Sequence, residues 1–143
     1  MPYNIIIGRD QSDKEKFGEK GLIFLGKGYV KMGNYTSLSN NLFMDVVRSH
    51  VILVAGKRGS GKSYSLGVLA EELSNLETEA ARNISSLIFD TMGIFWTMKY
   101  KNEKDKRLLK EWQMETKNLP VKIFIPIGKK QEYLDKLIPF DET

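Results

Sequence analysis

Residues 56–63 read Gly-Lys-Arg-Gly-Ser-Gly-Lys-Ser, and they stand between an apolar run at residues 51–55 and a segment with helical spacing. They fit the pattern G-x-x-x-x-G-K-[ST] without a mismatch, in the strand-loop-helix context the pattern requires, and the chemistry of that pattern is phosphate binding. Gly56, Gly59 and Gly61 let the backbone adopt conformations closed to other residues and turn successive N–H groups toward phosphate oxygens. Lys62 would reach the β- and γ-phosphates as a point charge, and Ser63 would ligate Mg²⁺ through its hydroxyl. The N-terminus of the following helix adds partial positive charge. The candidate set for binding a nucleoside triphosphate is therefore Gly56, Lys57, Arg58, Gly59, Ser60, Gly61, Lys62, Ser63 and the adjoining Tyr64, with Mg²⁺ on Ser63. Lys57 and Arg58 read first as solvent-exposed basic residues of a loop, with added phosphate contacts as the alternative.

Hydrolysis asks for more than a cradle. Phosphoryl transfer to water also needs a carboxylate on the Mg²⁺ side and a residue that orients the attacking water. The run "LIFD" is the one apolar stretch ending in an acid, so Asp90 joins Lys62 as the candidate catalytic residue. Its alternative is an aspartate capping a turn. The later run "VKIFIPIG" ends in Pro126 and Gly128 without an acid and cannot serve as a Walker B strand. "DTMG" at residues 90–93 resembles the D-x-x-G element of GTPases, but only 28 positions separate Lys62 from Asp90 and no N-K-x-D motif occurs. A small-molecule kinase would need an arginine-rich lid, and after the loop there are only Arg82 and Arg107.

The elements that must position these residues divide the chain in two. Residues 1–48 carry short apolar runs, "YNIII", "GLIFLG" and "GYVKM", separated by "GRDQSDKEKFGEKG", "GKG" and "GNYTSLSNN". Glycines at 8, 18, 21, 26, 28 and 33 punctuate them, which predicts strands between turns and a small barrel-like β-domain. Such a sheet has open edges and is expected to pack on another surface, with assembly as a candidate role. Residues 49–143 read as a P-loop α/β core. "HVILVA", "SSLIFD" and "VKIFIP" predict buried strands of a parallel sheet. Leu66, Leu69, Ala70 and Leu73 predict a helix from Ser63 to about Leu76. "NEKDKRLLKEWQMETKN" predicts an amphipathic helix stopped by Asn118 and Pro120. The expected fold class is α/β, with right-handed crossovers.

Composition bounds the rest. The chain has 143 residues, 41% of them hydrophobic, enough for a real core. The absence of cysteine excludes a disulfide framework and a thiolate zinc site, and a single histidine, His50, argues against an imidazole metal site. The longest apolar runs suit neither a signal peptide nor a membrane span, and the chain reads as cytoplasmic. A net charge of +4 is compatible with a polyanionic partner, yet 18 acids interspersed among 22 basic residues make charge a weak argument. "KYKNEKDKRLLK" holds six basic residues, interrupted by Glu103 and Asp105, and reads as a solvated helix face before a phosphate contact. Phe95, Trp96 and Tyr100 read as packing residues, His50 as structural, and Asp45 with Arg48 as a pair made within or between chains.

The stretch from "GRDQSDKEKFGEKG" through "VAGKRGSGKSYSLGVLAEEL", continuing to "LIFDTMGIFWTMKY", resembles the start of archaeal ATPases of the HerA and FtsK superfamily. In that family a small β-barrel precedes a RecA-like motor core. The resemblance implies ATP and Mg²⁺ use, a homo-hexameric ring, double-stranded DNA as the translocated or unwound partner, and in some members a nuclease partner. It maps the strand-end aspartate and its glycine onto Asp90 and Gly93, while Ile94 stands where an acid often appears. It also implies that residues 49–143 are the first part of an ATPase core and that the acidic Walker B pair lies beyond Thr143, so that this fragment alone would hydrolyse ATP poorly. A nucleotide-dependent switch or kinase, and a non-catalytic ATP-binding interaction module, are the competing functions.

Overall fold

A computed structural model describes residues 3–76 and 78–141; the extreme ends of the two expected domains lie outside that range. The chain divides into two compact units, Met1–Leu87 and Ile88–Thr143, each described by itself. The expected boundary after residue 48 falls inside the first of them.

The first unit is built on a mixed sheet of β1 (Ile5–Ile7), β2 (Leu22–Met32) and β3 (Tyr35–Asp45), in the order β1-β3-β2. β1 runs parallel to β3, with Ile5 opposite Leu42 and Ile7 opposite Met44. β2 and β3 form a long antiparallel hairpin, from Leu22 opposite Asp45 to Met32 opposite Tyr35. Gly33, at φ +60, opens its two-residue turn, where the primed turns that match strand twist require positive φ.

Three expectations are corrected here. "GLIFLG" and "GYVKM" are one continuous strand, because Gly26 and Gly28 lie at shifts of register and not at turns. "GNYTSLSNN", expected as a separator, supplies most of β3: its polar residues sit on a hairpin whose far half is open to water on both faces, so no apolar alternation marks it. "GRDQSDKEKFGEKG" likewise contains a helix, α1 (Gln11–Phe17). The Asp10 carboxylate accepts the Asp13 N–H at 2.8 Å as its N-cap, and Gly18 at φ +57 ends it.

At one end of this sheet lies a buried ion pair. The side chains of Arg9, just after β1, and Asp45, the last residue of β3, are fully shielded from solvent. Arg9 donates through Nε to Asp45 Oδ1 at 2.9 Å and through a terminal nitrogen to the same oxygen. Its remaining donors reach the carbonyls of Gly18 at 2.6 Å and Lys20 at 2.7 Å, so every side of the guanidinium is used. Asp45 Oδ2 accepts the Arg48 backbone N–H at 3.0 Å and faces His50 Nε2 at 3.1 Å. Burial alone would raise the Asp45 pKa, but hydrogen bonds from Arg9, the Arg48 backbone and His50 outweigh it and hold the group below the ordinary carboxylate value. Arg48 itself pairs with Asp13 in a two-pronged contact at 2.6 and 2.9 Å. That pairing lowers the Asp13 pKa. The expected Asp45–Arg48 pair is thus made through the Arg48 backbone alone, each side chain taking another partner.

The helix expected after the glycine-rich loop forms as α2 (Lys62–Ser74). It packs against β2, with Glu72 Oε2 accepting the Phe24 N–H at 3.3 Å. The short helix α3 (Thr78–Ala81) follows. Residues 51–55, 85–90 and 121–126 are a correction: among the described residues they pair into no sheet, apart from an isolated bridge at Phe124. Leu53 is 89% exposed and Phe89 85%. A continuous apolar run is compatible with a strand buried on both faces but does not name the strands that would have to lie beside it, and pairing is what makes a strand. The observed class is mixed α/β, a three-stranded sheet with helices.

The second unit is held by short elements: α4 (Lys106–Glu111), α5 (Lys130–Asp135) and two 3₁₀ turns, Phe95–Lys99 and Ile127–Lys129. Leu119 and Ile125 are its buried apolar residues, with the Leu119 N–H on the Met98 carbonyl at 2.9 Å. The helix expected over 102–118 is shorter. Gln113 takes the left-handed conformation at φ 59 and the Met114 N–H closes on the Leu109 carbonyl, well ahead of Asn118 and Pro120.

Asp45→Asn would leave the Arg9 charge buried without a counter-ion, at a cost of about 3–5 kcal/mol. Urea denaturation checks this, and a loss below about 1 kcal/mol would contradict it. Because the Asp45 and Asp13 values are lowered on folding, the stability they confer is fully present above the ordinary carboxylate pKa of about 4 and drains away as pH falls through the depressed folded values. In Asp45→Asn the acid-side loss should be correspondingly smaller.

Candidate phosphate-binding site

The chain leaves the sheet at Asp45, passes Arg48 and His50, and runs through residues 51–55 to Gly56. Gly56 is a place of close approach: a Cβ there would stand 2.4 Å from Ser60 Oγ. Gly59 at φ +79 and Gly61 at φ +89 hold conformations that L side chains rarely adopt, and apart from their chain neighbours no atom lies within 4 Å of where their Cβ atoms would be. The loop closes on itself through the Ser60 N–H and the Lys57 carbonyl at 3.2 Å. Lys62 Nζ donates to the same carbonyl at 2.8 Å, which folds the ammonium back over the loop.

Gly61 is the N-cap of α2 and offers no side chain to the helix's first N–H groups; the first turn holds no acid. The positive end of a 13-residue helix therefore meets Lys62, with Lys57 and Arg58 exposed in the loop before it. Ser63 and Tyr64 are exposed at the same turn. Open backbone conformation, N–H groups without a side-chain cap and a basic side chain meet the requirements of a phosphate chain. The residues present thus fit a nucleoside triphosphate, with Ser63 as the hydroxyl available to its Mg²⁺. Beside the loop an open apolar hollow of about 450 Å³ lies between the hairpin and α2, lined by Leu25, Met44, Leu53, Tyr64, Val68 and Leu69. Sequence reading gave no sign of it, because its walls come from separate segments.

Asp90 belongs to the second unit, Lys62 and Ser63 to the first, and each is placed within its own. The Asp90 carboxylate accepts three backbone N–H groups, from Met92 at 3.2 Å and from Ile94 and Phe95 at 2.7 Å each. With Gly93 at φ +63 this ties the turn that starts the 3₁₀ segment Phe95–Lys99. It is the turn-capping geometry that sequence gave as the alternative for Asp90. Trp96 and Tyr100 pack edge to face at 6.2 Å. In the basic stretch, Lys99 pairs with Asp141, Lys106 with Glu103 and Arg107 with Glu111. His50, for which sequence named no partner acid, has one in Asp45. Among the described residues no cluster of histidines and acids could hold a metal, and no helix is long and apolar enough to cross a membrane.

Asp90→Ala should cost about 1–2 kcal/mol and speed hydrogen exchange at the Met92, Ile94 and Phe95 amides. Unchanged protection at all three would contradict the capping role.

A family model described as the central domain of helicase HerA matches residues 30–129. No curated protein and no solved structure matches the chain. The matched span runs from within β2 through the glycine-rich loop, α2 and Asp90 to the turn at Ile127–Lys129. It covers well over half of the sequence, and the chain belongs to the HerA central-domain family within the HerA/FtsK-type ATPase superfamily.

Proposed function

We propose that the chain binds ATP with Mg²⁺ through residues 56–63 and contributes this site to an ATP-driven DNA translocase or helicase. The observation that carries the reading is local: two glycines at positive φ lead directly into Lys62 at the start of a helix with no side-chain cap. In this reading the loop N–H groups and the α2 N-terminus hold the phosphates, and Lys62 exchanges the Lys57 carbonyl for phosphate oxygens. The Ser63 hydroxyl would hold the Mg²⁺, which would neutralise phosphate charge when bound. Membership of the family supports the motor role, with double-stranded DNA as the polymer moved, a homo-hexamer as the assembly and the cytoplasm as the compartment. We assign residues 1–48 to a small β-domain serving assembly and the residues from 49 onward to the P-loop core.

Asp90 enters as the carboxylate that would assist on the Mg²⁺ side. That its oxygens already accept three backbone N–H groups favours a second reading, in which the residues of this chain bind ATP and the hydrolytic acid comes from elsewhere. A nucleotide-dependent switch would instead be marked by a preference for guanine.

Lys62→Ala should weaken ATP·Mg²⁺ binding about 10- to 100-fold by isothermal titration calorimetry, the scale of one charge-assisted set of hydrogen bonds. Equal affinity in the two proteins would remove the loop from nucleotide binding. Salt-dependent binding to duplex DNA that rises with ATP would support the motor role, and nucleotide-independent DNA binding would count against it.

A further inference from the structure

The phosphate loop hangs between two fixed points. Downstream it joins α2, which is pinned to the sheet by Glu72 on the Phe24 N–H. Upstream, residues 51–55 pair with no strand among the described residues and carry apolar side chains only, so the nearest side-chain hydrogen bond to the sheet ahead of the loop is made by His50, six positions before Gly56. Its Nε2 lies 3.1 Å from Asp45 Oδ2. Its ring lies across the Gly8 backbone: a Cβ at Gly8 would stand 2.7 Å from Cε1, 3.0 Å from Nε2 and 3.3 Å from Nδ1. The carboxylate it meets does not yield, being fully buried, bound by Arg9 on one oxygen and by the Arg48 N–H on the other. The His50 side chain is a quarter exposed, so it is a peg on the surface of the buried cluster and not part of its interior.

We infer that His50 is a positioning residue for the nucleotide site: by hydrogen-bonding Asp45 and seating against Gly8, it fixes where the segment to the phosphate loop leaves the sheet. The inference rests on the nucleotide-binding reading. His50 touches no phosphate. With the peg removed, residues 51–61 sample more conformations, and the fraction with the loop correctly shaped falls, which raises the apparent Kd by the same factor.

The test compares His50→Ala and His50→Gln with the unaltered protein in three readouts: ATP·Mg²⁺ affinity by calorimetry, hydrogen exchange along the chain, and Tm. A glutamine side chain can still donate to Asp45 Oδ2. His50→Ala should raise Kd about three- to tenfold, the equivalent of one hydrogen bond, and speed exchange in residues 51–61. Protection in β2 and β3 should hold, and His50→Gln should recover most of the affinity. Unaltered affinity and exchange in His50→Ala overturns the inference, as does equal weakening in the glutamine variant. Loss of protection throughout the sheet also overturns it, by making His50 a general support. If the unaltered protein binds no ATP, the nucleotide reading fails by itself, and exchange in residues 51–61 still decides whether His50 is the peg.

Discussion

The buried pair of Arg9 and Asp45 is the constraint on which the first unit depends. Two full charges have been taken out of water, which is tolerable only if each finds an opposite charge and if their remaining hydrogen-bonding capacity is used. Meeting that condition requires four separate pieces of chain in one place. The end of β1 brings Arg9, the loop after α1 brings the Gly18 and Lys20 carbonyls, and the end of β3 brings Asp45. The exit from the sheet brings the Arg48 N–H and His50. An apolar core of the same size would accept many small shifts. A guanidinium that must reach a carboxylate and two carbonyls accepts very few, so the pair specifies the arrangement as much as it stabilises it.

From that corner the chain runs to a loop whose shape is set by different physics. At residues 56–63 the determinants are short in range: the conformational freedom of Gly59 and Gly61, the close approach at Gly56 and the start of α2. The loop can therefore hold its form although residues 51–55 pair with no strand among the described residues. What a loop of this kind does not set by itself is its position, and the sheet supplies that at two points, through Glu72 on β2 and through the cluster at Asp45.

This difference in range explains what the sequence revealed. The G-x-x-x-x-G-K-[ST] pattern and the helix after it were legible because their causes lie within a dozen residues of one another. The three apolar runs read as core strands were legible as apolar, yet pairing depends on partners that a single run does not name. Gly26 and Gly28 were misread as turn residues because a glycine at a bulge and a glycine at a turn look alike in sequence. The Asp10 cap of α1 was a readable signal, an aspartate with an acid three positions on and a glycine at the far end, and the polarity of the segment hid it. Arg9 and Asp45 lie 36 positions apart, in segments with no shared pattern, and only the folded chain shows that they meet. Asp90 was legible as an acid at the end of an apolar run, whereas its three backbone partners were not.

The central claim is that residues 56–63 receive a triphosphate. Titration of ATP·Mg²⁺ into isotope-labelled protein, followed through backbone amide resonances, tests it residue by residue. The Gly59, Gly61, Lys62 and Ser63 amides should shift together and saturate on a single binding curve, with inorganic phosphate producing a weaker response at the same amides. Saturable shifts confined to other residues, or no shift in these four at saturating ATP·Mg²⁺, would contradict the account.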